Sequence, residues 1–356
     1  MTLYPCALLV LAGYALTRAA LFPLRMLAQR FGLVDAPAGR KDHAAPVPLV
    51  GGIALLIGVG LPALAAVGFA GAADLAALLP TTATAHAQGL AQRSPQLLLV
   101  LAGALANLLL GAIDDRRGLP ASLRLVVQCG AALMPVLAGL SVQLTDVPVM
   151  DGALTVLFIV AVTNAFNFID NMNGLCLGTA LIATLNLLAL AVAGGEVFVA
   201  GLLLCLAGAL FAVLSNNFPH ARVFSGDAGS TSLGFLLACL AVAHTFALRP
   251  TGSGVPWLSV AGPLLLLAVP LADIATVFTT RLARGVHPFT AGHDHLSHRL
   301  VRKGFTRHGA VIWLWGLALL CGLPLLLLIP SMITLCVWVP GALALLLLMV
   351  RTITRP

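Results

Sequence analysis

Runs of about 20 apolar residues recur along this chain, and each is long enough to cross the hydrocarbon of a bilayer as a helix. Eleven such runs fall near residues 3-22, 47-72, 96-113, 123-144, 152-170, 175-194, 196-214, 229-249, 257-280, 309-329 and 332-350. A water-soluble core cannot absorb so much continuous apolar sequence. The expectation is therefore an all-α, polytopic transmembrane bundle, a single integral membrane domain over residues 1-356. Composition agrees: 60% hydrophobic against 9% charged residues excludes the two soluble domains that 356 residues would otherwise suggest. No Lys or Arg precedes the first run, and no small-residue cleavage site stands before Arg18, so that run is expected to stay as a span.

Charge placement then suggests a topology. With the N-terminus outside and the spans alternating, 17 of the 19 Lys and Arg fall on the inner side, and only Arg93 and Arg249 fall outside. That is the asymmetry of the positive-inside rule, and one miscounted span would spoil it. A cytoplasmic C-terminus and an inner-membrane location follow. The net charge of +7 is spread too thinly to form a basic domain, so nucleic acid is not an expected partner. The seven cysteines all lie in apolar stretches without a CxxC, which argues against a disulfide framework and a thiolate metal site.

This topology also sorts the loops. The outer segment 73-95 is Ala-, Thr- and Gln-rich and reads as a plain tether. Inner segments 23-46, 114-122, 170-174, 215-228 and 281-308 carry nearly every polar side chain able to do chemistry. No internal repeat and no matched pair of broken helices, the marks of many transporters, is visible.

Four constellations stand out. GAIDDRRGL ends the third run with Asp114 and Asp115 at the negative end of a helix dipole, where two carboxylates need a cation or metal nearby. The plain structural reading is a stop-transfer flank in which Arg116 and Arg117 neutralise the pair. TNAFNFIDNMNGL ends the fifth run with Asn164, Asn167 and Asn171 at helical spacing and Asp170 beside them. Interhelical hydrogen bonding explains one buried Asn well and four polar groups poorly, since an Asp at a helix centre costs about 2.5 to 3.5 kcal/mol. SGDAGS (225-230) is a small-residue turn opening a helix. It suits an anion on the helix N-terminus with a hard cation on Asp227, or an ordinary N-cap. HPFTAGHDHLSHRLVRKGF clusters His293, His295 and His298 with Arg299 and Arg302. If helical from His295, it gathers donors on one face, which fits phosphate better than zinc because the arginines would repel a metal.

Two further features are weaker. Arg40, Lys41 and His43 lie between prolines in DAPAGRKDHAAPVPLVGG, either as cations over a cavity or as a positive-inside flank. Asp273, within PLADIATVFTTRL, sits inside the ninth run and reads equally as a structural partner or a functional group.

In this order, DAPAGRKDHAAPVPLVGG, AIDDRRGL, NAFNFIDNMNGL, SGDAGS and HDHLSHRL resemble the signature series of the polyprenyl-phosphate N-acetylhexosamine-1-phosphate transferases. That family includes the undecaprenyl-phosphate GlcNAc-1-phosphate transferases and, more distantly, the phospho-MurNAc-pentapeptide translocases. The resemblance runs from about Asp35 to Phe305.

It implies that Asp114 and Asp115 are the paired aspartates that activate the lipid phosphate or assist the metal. Asn167 and Asp227 would hold Mg2+, with Mn2+ as an alternative, on a nucleotide diphosphate. Asp170 would be a further active-site carboxylate, Asn173 would lie near the uracil, and Asn164, on the same polar stripe, would contact substrate. His295, His298 and Arg299 would handle the diphosphate and sugar, and Lys41 would be the basic residue of the first inner loop. The implied partners are a UDP-N-acetylhexosamine and a polyprenyl phosphate in the membrane; a homodimer is left open.

This chain reads Asp170-Asn171-Met172-Asn173-Gly174 where many members read DGxDG, and it lacks the contiguous HHH of the pentapeptide translocases. The GlcNAc-1-phosphate side of the family is therefore favoured. Chemically, joining a lipid phosphate to a soluble diphosphate needs a carboxylate and metal cluster at the bilayer surface, where phosphate oxygens crowd. Direct attack and an aspartyl-phosphate intermediate both remain open. The alternative from another class is a transporter or lipid flippase, which should carry polar groups along a path through the bilayer.

Overall fold

A computed structural model of the chain describes residues 3-35, 46-72, 81-145, 147-245, 258-290 and 292-327. They form a helical bundle with one short strand pair. In chain order the elements are α1 (Leu3–Ala28), β1 (Val34–Asp35), β2 (Val47–Pro48), α2 (Gly51–Gly71), α3 (Thr81–Arg117) and α4 (Ala121–Leu137). They continue with α5 (Pro148–Ile169), α6 (Leu175–Ala193), α7 (Val197–Leu214) and α8 (Gly226–Thr245). The last are α9 (Leu258–Leu266), α10 (Ala268–Ala283), α11 (Leu296–Arg302) and α12 (Arg307–Leu327).

Seven of these helices, α1, α2, α3, α5, α6, α7 and α8, are long and apolar enough to cross a membrane, and α4 and α12 are shorter apolar helices. The last expected span, 332-350, lies outside the described residues, as does the loop carrying Lys41.

Helix α8 is the axis of the bundle: it packs against α2, α3, α5 and α6. With apolar tails outside, helices gain little from burying Leu against Leu, so close approach at small residues does much of the work. Gly52 of α2 lies on Gly229 of α8, and a Cβ on Gly52 would run into the Gly229 backbone. Gly111 of α3 meets the backbone of Asp227 and Ala228 in the same way. That contact sits one helical turn before Asp115 and brings its carboxylate to the start of α8.

Three sequence expectations are revised. Residues 81-95 are no tether: they are the opening turns of α3, a 37-residue helix. Ala and Gln there are good helix formers even without an apolar face. The run 123-144 is helical only to Leu137, because Gly139, at φ 87, turns the chain, with Leu140 N–H closing onto the Pro135 carbonyl at 2.9 Å. The ninth run is split at Leu267 into α9 and α10. Pro270, in the first turn of α10, has no N–H to continue the ladder, so the helix restarts there.

The strand pair ties the loop between α1 and α2 to the rest. Val34 pairs with Pro48 and Asp35 with Val47. Pro48 carbonyl accepts the Phe224 N–H, and Gly51 N–H donates to the Phe224 carbonyl, both at 2.9 Å. The strand pair and the start of α2 are thus joined to Phe224, three residues from Asp227.

Candidate active site

The polar groups that the sequence singled out gather at one end of the bundle, where α3 and α5 finish and α8 begins. Asp115 Oδ1 accepts the Asp227 N–H at 2.9 Å, and its Oδ2 accepts the Ala228 N–H at 3.3 Å. The carboxylate at the negative end of α3 therefore sits on the positive end of α8, a helix terminus taking the place of the expected cation. Gly226, at φ 65, makes the turn that aims those amides, and its missing Cβ leaves room for Asp115 Oδ2.

Asp114 faces differently. Its Oδ1 accepts the Leu119 N–H at 2.5 Å and its Oδ2 pairs with Arg124 Nη1 at 2.6 Å. Arg124, from the next helix, is the neutralising partner among the described contacts, while Arg116 and Arg117 are exposed.

Asn167 bridges α5 to α8. Its Nδ2 donates to Asp227 Oδ1 at 2.8 Å and to Ser230 Oγ at 3.2 Å. Asp170 caps the end of α5, and Ser225 Oγ donates to its Oδ2 at 2.8 Å. Asp115, Asn167, Asp170 and Asp227 thus converge from three helices through direct bonds or a shared turn. Asn171 binds elsewhere: its Oδ1 accepts from Ser297 Oγ at 2.6 Å, which docks α11 on the turn next to Asp170. Asn173 donates to the Pro219 carbonyl at 3.3 Å.

Asn164 is not brought to the cluster. Its Nδ2 donates to Gln128 Oε1 at 2.7 Å and to the Val160 carbonyl at 2.9 Å, deep between α4 and α5. These are the contacts of an interhelical tie.

The segment that leads from α10 into α11 is held by α10 itself. Asp273, 1% exposed, faces His295 Nδ1 at 2.8 Å through Oδ2 and accepts the Leu296 N–H at 2.7 Å through Oδ1. Two turns on, Arg281 donates to the Pro288 carbonyl at 2.6 Å and pairs with Asp294 at 3.2 Å. Burial pushes the Asp294 carboxyl up, but Arg281, Arg284 and Arg299 together hold it below its ordinary range. Arg299 donates to the Asp294 carbonyl at 2.8 Å and to Thr280 Oγ1 at 2.6 Å.

His298 stands 3.5 Å from His293 through ring nitrogens. Burial, then the neighbouring His293 and His295, push it down to about 4, so it is neutral at pH 7. The Phe168 ring, beside Asn167, lies 6.0 Å from the His295 ring and closes the gap between loop and cluster.

Sequence reading missed several supports. Asn217 is buried and accepts the Gly174 N–H at 2.5 Å while donating to the Val223 carbonyl at 2.8 Å, so it joins the turn after Asp170 to the segment before Gly226. Its signal was available in the Asn216-Asn217 pair closing an apolar run. Gln128 and Ser297 had no such signal, being single polar residues in otherwise ordinary stretches.

A metal fits this set in one manner. Among the described residues no three of His, Cys, Asp and Glu stand close enough to cage an ion by themselves. Asp115 and Asp227, with the Asn167 side-chain oxygen, offer a hard and incomplete oxygen set. That suits Mg2+, which keeps waters and binds through one or two carboxylates plus substrate phosphates.

A separate cavity of about 630 Å3 opens at the opposite end of the bundle, walled by Pro62, Phe69, Leu90, Arg93, Glu196 and Phe198 among others. None of the clustered carboxylates lines it.

Residues 97-245 match the sequence profile of glycosyl transferase family 4. The chain is 31% identical over 335 residues to the decaprenyl-phosphate N-acetylglucosaminephosphotransferase of Mycobacterium tuberculosis, covering 87% of this chain and 79% of that protein. It is 32% identical over 335 residues to the protein of that name from Mycolicibacterium smegmatis, with 87% and 79% covered. It is 30% identical over 321 residues to the undecaprenyl-phosphate alpha-N-acetylglucosaminyl 1-phosphate transferase of Yersinia pestis, with 84% and 78% covered.

Proposed function

Since the chain belongs to glycosyl transferase family 4, we propose that it moves N-acetylhexosamine-1-phosphate, GlcNAc-1-phosphate first among the candidates, from a UDP-sugar to a polyprenyl phosphate. The products are polyprenyl-diphosphate-sugar and UMP, the first step of an envelope polysaccharide. The observation that carries this reading is the convergence of Asp115, Asn167, Asp170 and Asp227 at the junction of α3, α5 and α8.

An oxygen of the lipid phosphate attacks the sugar-linked phosphorus, and the bond from that phosphorus to the UMP oxygen breaks. In this reading Asp115 and Asp227, with Asn167, hold Mg2+, which when bound offsets the charge of the crowded phosphate oxygens. Asp114, fixed by Arg124, and Asp170, fixed by Ser225, orient the lipid phosphate. His298, neutral at pH 7, offers hydrogen bonds to the sugar and diphosphate without adding charge. Arg299 adds the positive charge. In this reading Asn173 contacts the uracil, and Lys41, outside the described residues, is a basic residue of the substrate-binding set. Asn164, tied to Gln128, supports α5 from behind the site.

The proposed topology has eleven spans in the inner membrane, with the N-terminus outside and this cluster at the cytoplasmic headgroup level. A transporter would carry such groups through the bilayer, whereas here they gather at one end of the bundle. The test is UMP release by purified membranes supplied with a panel of UDP-sugars, polyprenyl phosphate and Mg2+. Turnover that needs both lipid phosphate and metal is expected, and undiminished turnover in a normally expressed Asp115→Ala variant would overturn the reading.

A further inference from the structure

We propose that Asp273 is a positioning residue for His295, fixing the ring as its Nδ1–H tautomer so that Nε2 is the nitrogen offered to the reaction cleft. The proposal rests on the transferase reading for what the cleft does, but its geometry stands independently.

Both oxygens of the Asp273 carboxylate are committed to one junction. Oδ1 accepts the main-chain N–H of Leu296 at 2.7 Å, and Oδ2 lies 2.8 Å from His295 Nδ1. A carboxylate only accepts, so the proton of the pair must sit on Nδ1. Nε2 has no hydrogen bond among the described residues, and about a tenth of the His295 side chain is exposed. The Phe168 and His298 rings flank it, each with its centroid 6.0 Å from that of His295.

The scaffold behind the pair is rigid. Asp273 is fully enclosed on α10, whose Arg281 grips both Pro288 and Asp294, so one helix holds both ends of the loop that carries His295. Ser297 pins the far side of that junction to Asn171, next to Asp170.

An aspartate buried behind a histidine with one nitrogen facing a site is the arrangement in which the carboxylate sets the tautomer and stabilises the imidazolium if the ring takes a proton. A purely structural account explains the Leu296 bond, a helix N-terminal cap. It gives no reason for the second oxygen to face an imidazole.

The experiment separates those accounts. Asp273→Asn keeps an acceptor for the Leu296 N–H and places an amide N–H against His295 Nδ1, which drives the proton to Nε2. Histidine 15N NMR of the detergent-solubilised protein should show Nδ1–H at His295 in the parent and Nε2–H in the variant. An Nε2–H in the parent, or no change in the variant, overturns the proposal whatever the reaction is.

In the UMP-release assay Asp273→Asn is expected to lower kcat by at least about 100-fold with KM changed little and the melting midpoint held. His295→Ala should lose as much, and the double variant no more than His295→Ala alone. Losses that multiply would overturn the coupling and leave Asp273 as a cap. Absence of turnover in the parent with every UDP-sugar would count against the transferase reading, and the NMR result would still decide the tautomer.

Discussion

Asp115 and Asp227 are joined side chain to main chain: the Asp115 carboxylate accepts the Asp227 N–H at 2.9 Å, while the Asp227 carboxylate turns to Asn167 at 2.8 Å. One bond caps a helix and the other faces the site. The two aspartates are 112 residues apart in sequence, yet this single contact decides where α8 starts and where its first acidic side chain points. Asp115 thus has a structural duty besides any chemical one, and the two can be separated.

Asp115→Asn separates them. The amide oxygen still accepts the Asp227 N–H, but its NH2 faces the Ala228 N–H, and the negative charge on the α8 terminus is lost. Loss of that charge is worth about 0.5 to 2 kcal/mol, a drop of several degrees at most in a thermal melt. UMP release should fall by at least about 100-fold in the same preparation. A variant that melts like the parent and turns over like it would remove Asp115 from the site.

Gly111→Ala tests the crossing that makes this contact possible. The added methyl meets the Asp227 and Ala228 backbone rather than a side chain able to swing away, so α3 and α8 must separate. Overpacking of this kind costs about 1 to 3 kcal/mol, and here the shift also pulls Asp115 off its amides. Gly60→Ala is the control: its Cβ meets nothing within 4 Å, and helix propensity alone predicts a gain of up to about 1 kcal/mol. Thermal midpoints of the two variants in detergent, read beside UMP release, should move in opposite directions.

The helices were legible because the apolar runs exceed what any other structure can satisfy in hydrocarbon, and the identity of the clustered residues was legible because polar groups at that depth need a reason. Partner choice was not. Arg117 stands three residues after Asp114, a spacing that would let them pair, yet Arg116 and Arg117 are exposed and Arg124 enters from the next helix to reach Asp114. The asparagine stripe read as one functional face, yet Asn164 goes to Gln128, Asn167 to Asp227 and Asn171 to Ser297. The helix ends at Ile169, so spacing beyond it no longer describes one face. The opening turns of α3 were hidden because their helix-forming residues carry no apolar period to detect.

His298 predicts an acid limit to stability. Its folded value, about 4, lies below the ordinary histidine value of 6.5, so the folded state takes up its proton later than the unfolded chain does. The stability it supplies is whole above pH 6.5 and drains away as pH falls through 4. His293, His295 and Arg302 face it and oppose its charge, and Asp273 favours it. The melting midpoint should therefore decline between pH 6.5 and 4, and His298→Gln should flatten that decline. An unchanged slope would mean that other groups govern the acid limit.

Asn164 and Gln128 form a pair whose removal should harm stability and spare chemistry. Asn164→Leu leaves the buried Gln128 amide without its partner, as Gln128→Leu does the Asn164 amide, and an orphaned polar group costs about 1 to 3 kcal/mol. Replacing both removes the desolvated groups together, so the double variant should recover part of either loss. Neither amide touches Asp115, Asp170 or Asp227 through a hydrogen bond, and KM for the UDP-sugar should stay within a few-fold of the parent in all three proteins. A KM rise confined to Asn164→Leu, with the melt unchanged, would return Asn164 to the substrate and leave Gln128 as its support.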